Sequence, residues 1–503
     1  MSNDPTRQLA EQNVKSILEW LALAHGRTDS DSGAELQAQL LTLRSTPVPT
    51  GQRLKLLDLL YSHAVQLTLA QLPILHESTL PVPRRVRQAV RTLQELLEVL
   101  AQDYLNTLAE LFDPEAKGRP RSPQITLRRV MHCLAWHLNI GFFVAAPASP
   151  GVWQQLHAAF RSSRRLGVDD PDAVGESRRI EQIYVSTLLV AIAQPASFTA
   201  RELDFVSTYI DNCAKAVGVQ SEAPVNSEGI FWVDPEKDQP AQALARRNPP
   251  PETEVFYFAC DLLAQGVEDH LAALERGVPV TELGLPGFAA SPGGHGVLRR
   301  LATLWGRPAK RKFPRRRQSY RADLCSGLDR LWQLLRHPEQ PPSSSEWMVT
   351  NESPDGYSLM HVSGSTDNLQ SGDIVAVRPH EGHINTLDGP WHICIVRWAL
   401  SENAEHVELG LQVLSPRGIA AQIAAPHDLA HDGRREAVLL PKLPPLRPFP
   451  ALIVPVGAVS DRSQKLIVLV ESSRVEVREL RATAVSEQTS SVEVFTVQPD
   501  EKP

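Results

Sequence analysis

The 503 residues carry 51 Lys and Arg against 58 Asp and Glu, a formal charge of -7, which argues against general nucleic-acid coating. With 42% hydrophobic and 22% charged residues, the composition is ordinary for a globular protein, and the length calls for about two to four domains. No stretch reaches the ~18 apolar residues that span a bilayer, no apolar segment follows a basic start, and five scattered cysteines include no CxxC pair. No membrane span, a reducing compartment and a cytoplasmic location are therefore expected.

Residues 1–220 read as helices. Beginning at Val90, the positions Leu93, Leu96, Leu97, Leu100, Tyr104, Leu108 and Leu111 recur at three- and four-residue steps and draw one apolar stripe. Similar periods run through Val14–Ala24, Leu54–Leu72, Val152–Phe160 and Ile183–Ala193. Thr199 with Glu202 three residues on marks a helix start. One all-α domain is expected here. Residues 221–306 read as a linker with one short strand, GIFWV, a helical stretch EVFYFACDLLAQGVEDHLAALERG, a flexible hinge at SPGGHG and a short helix at Val297–Leu304. From Arg307 the pattern alternates at period two, as in WMVTNESPDGYSLMHV, GDIVAVRP, WHICIVRWAL and VELGLQVL, which predicts a compact antiparallel barrel over 307–425. A Pro-rich break, PKLPPLRPFP, and a small appended β-unit occupy 426–503.

Chemistry concentrates where the β-pattern begins. The segment RPAKRKFPRRRQSYR packs Arg307, Lys310, Arg311, Lys312, Arg315, Arg316, Arg317 and Arg321 into one stretch of an acidic chain. Such a cluster repels itself unless an anion sits on it. Arg317 and Arg321 bracket three residues, so two guanidinium forks can approach one ligand, gripping phosphate oxygens or a guanine edge or stacking on a purine. Thirty positions after Arg321 comes Asn351-Glu352-Ser353-Pro354-Asp355-Gly356. Asn351 offers donors and an acceptor and Ser353 a hydroxyl, groups that read base edges which a pure donor cannot. Gly356 closes the turn, where a positive φ or a close backbone approach is needed.

Together these features resemble the PilZ domain, with its RxxxR segment entering a barrel and a later [D/N]xSxxG turn. Arg317–Arg321 and Asn351–Gly356 match the two halves in order, Arg316 fits the frequent RRxxxR form, and WHICIVRWAL followed by VELGLQVL resembles the later PilZ strands. The resemblance covers about residues 308–420. It implies a receptor for the second messenger cyclic di-GMP, with Arg316, Arg317 and Arg321 on phosphates and guanine faces, Asn351 and Ser353 on a guanine edge, and Gly356 holding the turn. No cofactor or metal is implied, and the ligand is bound rather than transformed. The stretch SGLDRLWQLLRHPEQPPSSS departs from the usual first strand: Leu328, Leu331, Leu334 and Leu335 suit a helix or an irregular strand. Arg311–Arg315 is a second RxxxR register.

Other motifs have plainer readings. His427-Asp428 and His431-Asp432 fit a solvated loop, and His132 and His137 fit packing on an apolar helix. SPGGHG lacks the GK[ST] ending of a phosphate cradle. No motif of catalysis is present, so an enzyme is disfavoured. The expected function is a signalling receptor that converts ligand binding into altered interdomain or partner contacts, with a protein partner on the helical domain. Alternatives are a scaffold with a degenerate PilZ-like domain, or an RNA-binding regulator using the basic run.

Overall fold

A computed structural model of the chain describes residues 5–24, 26–27, 31–111, 123–168, 179–308, 310, 313–366, 369–380, 389–403, 406–424, 433–444, 447–459, 465–471 and 475–499. Two compact units share the chain: Met1–Ser78, Val82–Pro195 and Tyr209–Leu263 form the first, and Thr79–Pro81, Ala196–Thr208 and Ala264–Pro503 the second.

Helices come first in chain order: α1 (Pro5–Ala24), α2 (Ser32–Ser45), α3 (Thr50–His76), α4 (Arg84–Leu111), α5 (Pro123–Phe143), α6 (Val152–Arg165), α7 (Ile180–Ile192) and α8 (Ala200–Cys213). The stripe on α4 is the reason its neighbours gather. Leu93, Leu96, Leu97, Leu100, Tyr104 and Leu108 are all buried, and the helix packs on α2, α3 and α5. Each buried leucine contributes roughly 1.5–3 kcal/mol, far more than helix propensity alone. At the start of α8, the Glu202 amide donates to Thr199 Oγ1 at 3.2 Å, and the Thr199 amide donates to Glu202 Oε2 at 3.1 Å. The expected cap is therefore a reciprocal box. His137 is buried between Gln94 O and Ser149 Oγ, and His132 lies between the Tyr61 hydroxyl and the Trp136 indole, both as packing histidines.

A three-stranded antiparallel sheet follows, with β1 (Ile230–Val233) between β2 (Gln242–Ala243) and β3 (Phe256–Ala259), and then come α9 (Asp261–Glu275) and α10 (Pro292–Gly306). The hinge expected at SPGGHG is instead the first turn of α10. Ser291 caps it, its Oγ accepting from the Gly294 amide at 3.0 Å. The glycines serve close packing: a Cβ on Gly294 would stand 2.2 Å from Phe288 O, and one on Gly296 2.0 Å from Gln488 O.

Two closed six-stranded barrels complete the second unit. The first comprises β4 (Arg316–Ser326), β5 (Ser345–Ser353), β6 (Gly356–Ser363), β7 (Ile374–Pro379), β8 (His392–Ser401) and β9 (Val407–Ser415) in the order β4-β5-β6-β9-β8-β7. Between β4 and β5, the leucine-rich departure forms a helix, α11 (Leu328–Arg336), entered through Gly327 at a φ of 89°. Its Leu331 and Leu334 are buried, and its Trp332 indole donates to Ala421 O at 2.9 Å. The appended β-unit is the second barrel: β10 (Ile419–Ala424), β11 (Arg435–Leu440), β12 (Ala451–Pro455), β13 (Lys465–Glu471), β14 (Val475–Gln488) and β15 (Val492–Pro499). Its order is β10-β11-β12-β15-β14-β13. Counted from the first strand of each, the two orders are identical. Because β10 pairs with β11 and β13, the second barrel starts at Ile419, upstream of the break expected after residue 425.

Alternation explains how the barrels join. In the second barrel, Ala437, Leu439, Leu452, Val454, Phe495 and Val497 fill the interior. Their neighbours Val438, Leu440, Ala451, Ile453, Val492 and Val494 face outward, yet they too are buried. They form one core with Cys325, Ile374, Ala376, Ile393 and Ile395 of the first barrel and with Leu331 and Leu334 of α11.

Candidate ligand-binding site

The outer face of the first barrel carries the expected site residues on β4, β5 and β6. Interior positions are set by Ala322, Leu324, Trp347, Val349 and Leu359, all buried. Arg321 pairs with Met348, which pairs with Met360, so these three side chains share the outer side. Two steps along β6, Ser358 also faces out and pairs with Asn351, which pairs in turn with Arg317.

The strands cover that distance with different residue counts. The outward step from Met360 to Ser358 takes two residues on β6, Met348 to Asn351 takes three on β5, and Arg321 to Arg317 takes four on β4. Register shifts between Val349 and Asn351, and between Arg317 and Tyr320, absorb the extra residues. Without them Asn351 would point into the barrel, so the bulges aim the amide outward. The row continues from Ser358 to Gly410 on β9 and Trp398 on β8. A further register shift, between Val396 and Trp398, turns the indole outward. It lies across Gly410: a Cβ there would stand 1.8 Å from Trp398 Nε1.

Arg317, Asn351, Ser358, Gly410 and Trp398 thus lie side by side on five strands. Arg317 is exposed, and among the described residues neither it nor the Asn351 side chain makes a hydrogen bond or ion pair. Arg315 donates from Nη1 to Ser358 Oγ at 3.0 Å, which puts a second guanidinium over the row. Arg321 is half-buried, with Nη1 3.6 Å from Glu346 Oε2. Arg316 sits opposite Glu352, on the alternate side of the sheet from Arg317. Of the two RxxxR registers, Arg317–Arg321 lies along β4; Arg311 of the other lies outside the described residues, as do His427, Asp428, His431 and Asp432.

In the turn, Ser353 Oγ donates to Asp355 Oδ1 at 2.7 Å, so its proton ties the hairpin together, and the Asp355 carbonyl accepts from the Val413 amide at 2.9 Å. Gly356 owes its identity to close approach rather than to φ. A Cβ on it would stand 2.2 Å from Leu411 O of β9.

Chemically the row offers what a nucleotide needs: guanidinium groups for phosphate or a guanine edge, an amide for a base edge, and an indole face for stacking. All five cysteines are free, and burial pushes the Cys133 and Cys213 thiols up to about 12. Arg315, which the sequence offered only in the alternative Arg311–Arg315 register, joins the row, and Trp398, Gly410 and Ser358 complete it without having been among the sequence-derived site residues. The Arg397-Trp398 pair was visible in WHICIVRWAL, but the bulge that aims it was not.

Residues 15–224 match the family model described as cyclic-di-GMP receptor FimW, N-terminal domain, and residues 333–419 match that of the cyclic-di-GMP receptor FimW, middle PilZ domain. The second match takes in Asn351, Ser353, Gly356, Trp398 and Gly410 and begins after Arg316, Arg317 and Arg321. No curated protein and no solved structure matches the chain. Among the described residues, no helix is long and apolar enough to cross a membrane.

Proposed function

The chain belongs, through its N-terminal and PilZ domains, to the FimW family of cyclic-di-GMP receptors, and on that premise we propose that it binds cyclic di-GMP on the outer face of its first barrel and passes the event on without transforming the ligand. The observation that carries this reading is the register of exposed Arg317 with half-buried Asn351, where among the described residues neither side chain is otherwise engaged. Arg317 and Arg321 then hold phosphate oxygens, with Arg316 reaching round the strand end. Asn351 meets a guanine edge, and Ser353 and Gly356 keep the turn in place. The ligand's two negative charges favour the state in which the basic lead-in is ordered, and that difference in affinity is what any switch requires. Its output is a change of interdomain or partner contacts in the cytoplasm, with a protein partner on the helical domain. In domain terms the reading is a helical domain over 1–220, a connecting segment to 306, the receptor barrel from 307 and the second barrel from Ile419.

Calorimetry of the full chain with cyclic di-GMP, cyclic di-AMP and GTP tests this reading. Saturable binding of cyclic di-GMP alone, lost in Arg317→Ala and weakened in Asn351→Ala, is expected. Absent binding, or equal affinity for all three ligands, overturns it.

A further inference from the structure

We infer that the second barrel completes the ligand site of the first, with Glu487 as a positioning residue that holds the β8 bulge presenting Trp398. This inference rests on the receptor reading above and extends it to a part of the chain outside both family matches.

The bulge residue itself is Arg397. Between Val396, paired with Leu411, and Trp398, paired with Gly410, it is one residue too many for the β9 partner. In an unbulged strand, alternation would send residue 398 inward with Val396. What keeps Trp398 out is therefore whatever holds Arg397. Its Nε donates to Gln412 Oε1 at 2.7 Å, its Nη1 donates to Glu487 Oε2 at 2.9 Å, and its Nη2 meets Glu487 Oε1. All three nitrogens of the fork are engaged, and two of them by one carboxylate of the second barrel.

Glu487 is placed for this by the matching feature of its own barrel. β14 is the strand equivalent to β8, and it too is bulged, between Val485 and Glu487. Glu487 pairs with Val494, which belongs to the core joining the barrels, so its backbone is anchored at that seam. The equivalent bulge thus serves the first barrel by presenting an indole and the second by presenting a carboxylate to the residue beside that indole. Among the described residues the second barrel offers no open counterpart of the site: its strands β11, β12 and β15, equivalent to β5, β6 and β9, turn their outer faces into the shared core.

Two measurements on the full chain test the inference. First, in the ligand-free protein, the emission difference between the parent and Trp398→Phe isolates this indole; in a Glu487→Gln background that difference is expected to shift to the blue as the indole leaves Gly410 and turns inward with Val396. An unchanged difference spectrum overturns the inference, whatever the ligand does. Second, cyclic di-GMP affinity is expected to fall ~10-fold or more in Trp398→Ala, in Glu487→Gln and in Arg397→Glu, as loss of one base-stacking surface predicts. The charge-swapped pair Arg397→Glu with Glu487→Arg is expected to recover most of it. Parent-like binding in Glu487→Gln while Arg317→Ala abolishes binding contradicts the inference and leaves the receptor reading intact. A spectral shift in a protein that binds no cyclic di-GMP does the reverse: it upholds the Glu487–Trp398 link and sinks the receptor reading.

Discussion

Two barrels in this chain share one strand order and differ in what their outer faces carry. On the first, the outer positions of β4, β5 and β6 are Arg317, Asn351 and Ser358, next to Gly410 and Trp398. On the second, the outer positions of β11, β12 and β15 are Val438, Leu440, Ala451, Ile453, Val492 and Val494, buried against the first barrel. A barrel's interior has to be apolar in either case. Only the outer set is free to vary, and it decides whether the same fold offers a ligand site or a seam.

The comparison can be broken at its strongest point by placing a charge in the seam. Ile453 is fully buried, so Ile453→Asp is expected to cost about 3–5 kcal/mol, because a buried carboxylate there has no partner. A urea melt that matches the parent would show that the seam is not a core.

In the helical unit acid meets buried groups of both signs, the Asp103 carboxyl pushed up by burial and the His157 imidazole pushed down. Burial holds the His157 imidazole down at about 4, hydrogen-bonded to Tyr184 and Gln239 O. The unfolded chain takes up that proton first, so its contribution is complete above pH ~6.5 and is lost as pH falls towards 4, about 3 kcal/mol in all. Asp373, in the barrel unit, responds with the opposite sign. Burial pushes its carboxyl up, so protonation on the way down favours the folded form. Urea midpoints followed by helical signal from pH 7 to pH 4 should therefore fall, and His157→Gln should flatten the slope.

Gly356→Ala sharpens the contrast within the first barrel. A methyl 2.2 Å from Leu411 O forces β6 from β9 at a cost of about 1–3 kcal/mol, readable as a lower melting temperature together with weaker ligand binding. Asn351→Ala separates the two effects: stability within about 0.5 kcal/mol of the parent, but cyclic di-GMP affinity down ~10-fold or more by calorimetry. A similarly small stability effect is expected of Glu487→Gln, under about 1 kcal/mol in a urea melt, because the Arg397–Glu487 pair is partly exposed.

Much of this architecture was legible in residue periodicity. The α4 stripe, the Thr199–Glu202 cap and the alternating strands from Trp347 onward follow from local pattern alone. The Arg317–Arg321 and Asn351–Gly356 segments are short, and it was their resemblance, in order, to the two halves of the PilZ signature that implied one barrel. Features that depend on what lies opposite a residue were not legible. SPGGHG reads as flexible until Phe288 O and Gln488 O are seen to leave no space for side chains. Trp398 reads as one more strand residue until a bulge turns it outward. The final strands alternate like any others, and nothing local says that they close into a second barrel whose outside is also apolar core.

Hydrogen exchange of the full chain with and without cyclic di-GMP tests the central claim most directly. The account predicts slowed exchange in 313–321, 351–358 and 398–410, with residues 433–459 of the second barrel unchanged. Protection confined to the second barrel, or none in the three first-barrel segments at saturating ligand, would contradict it.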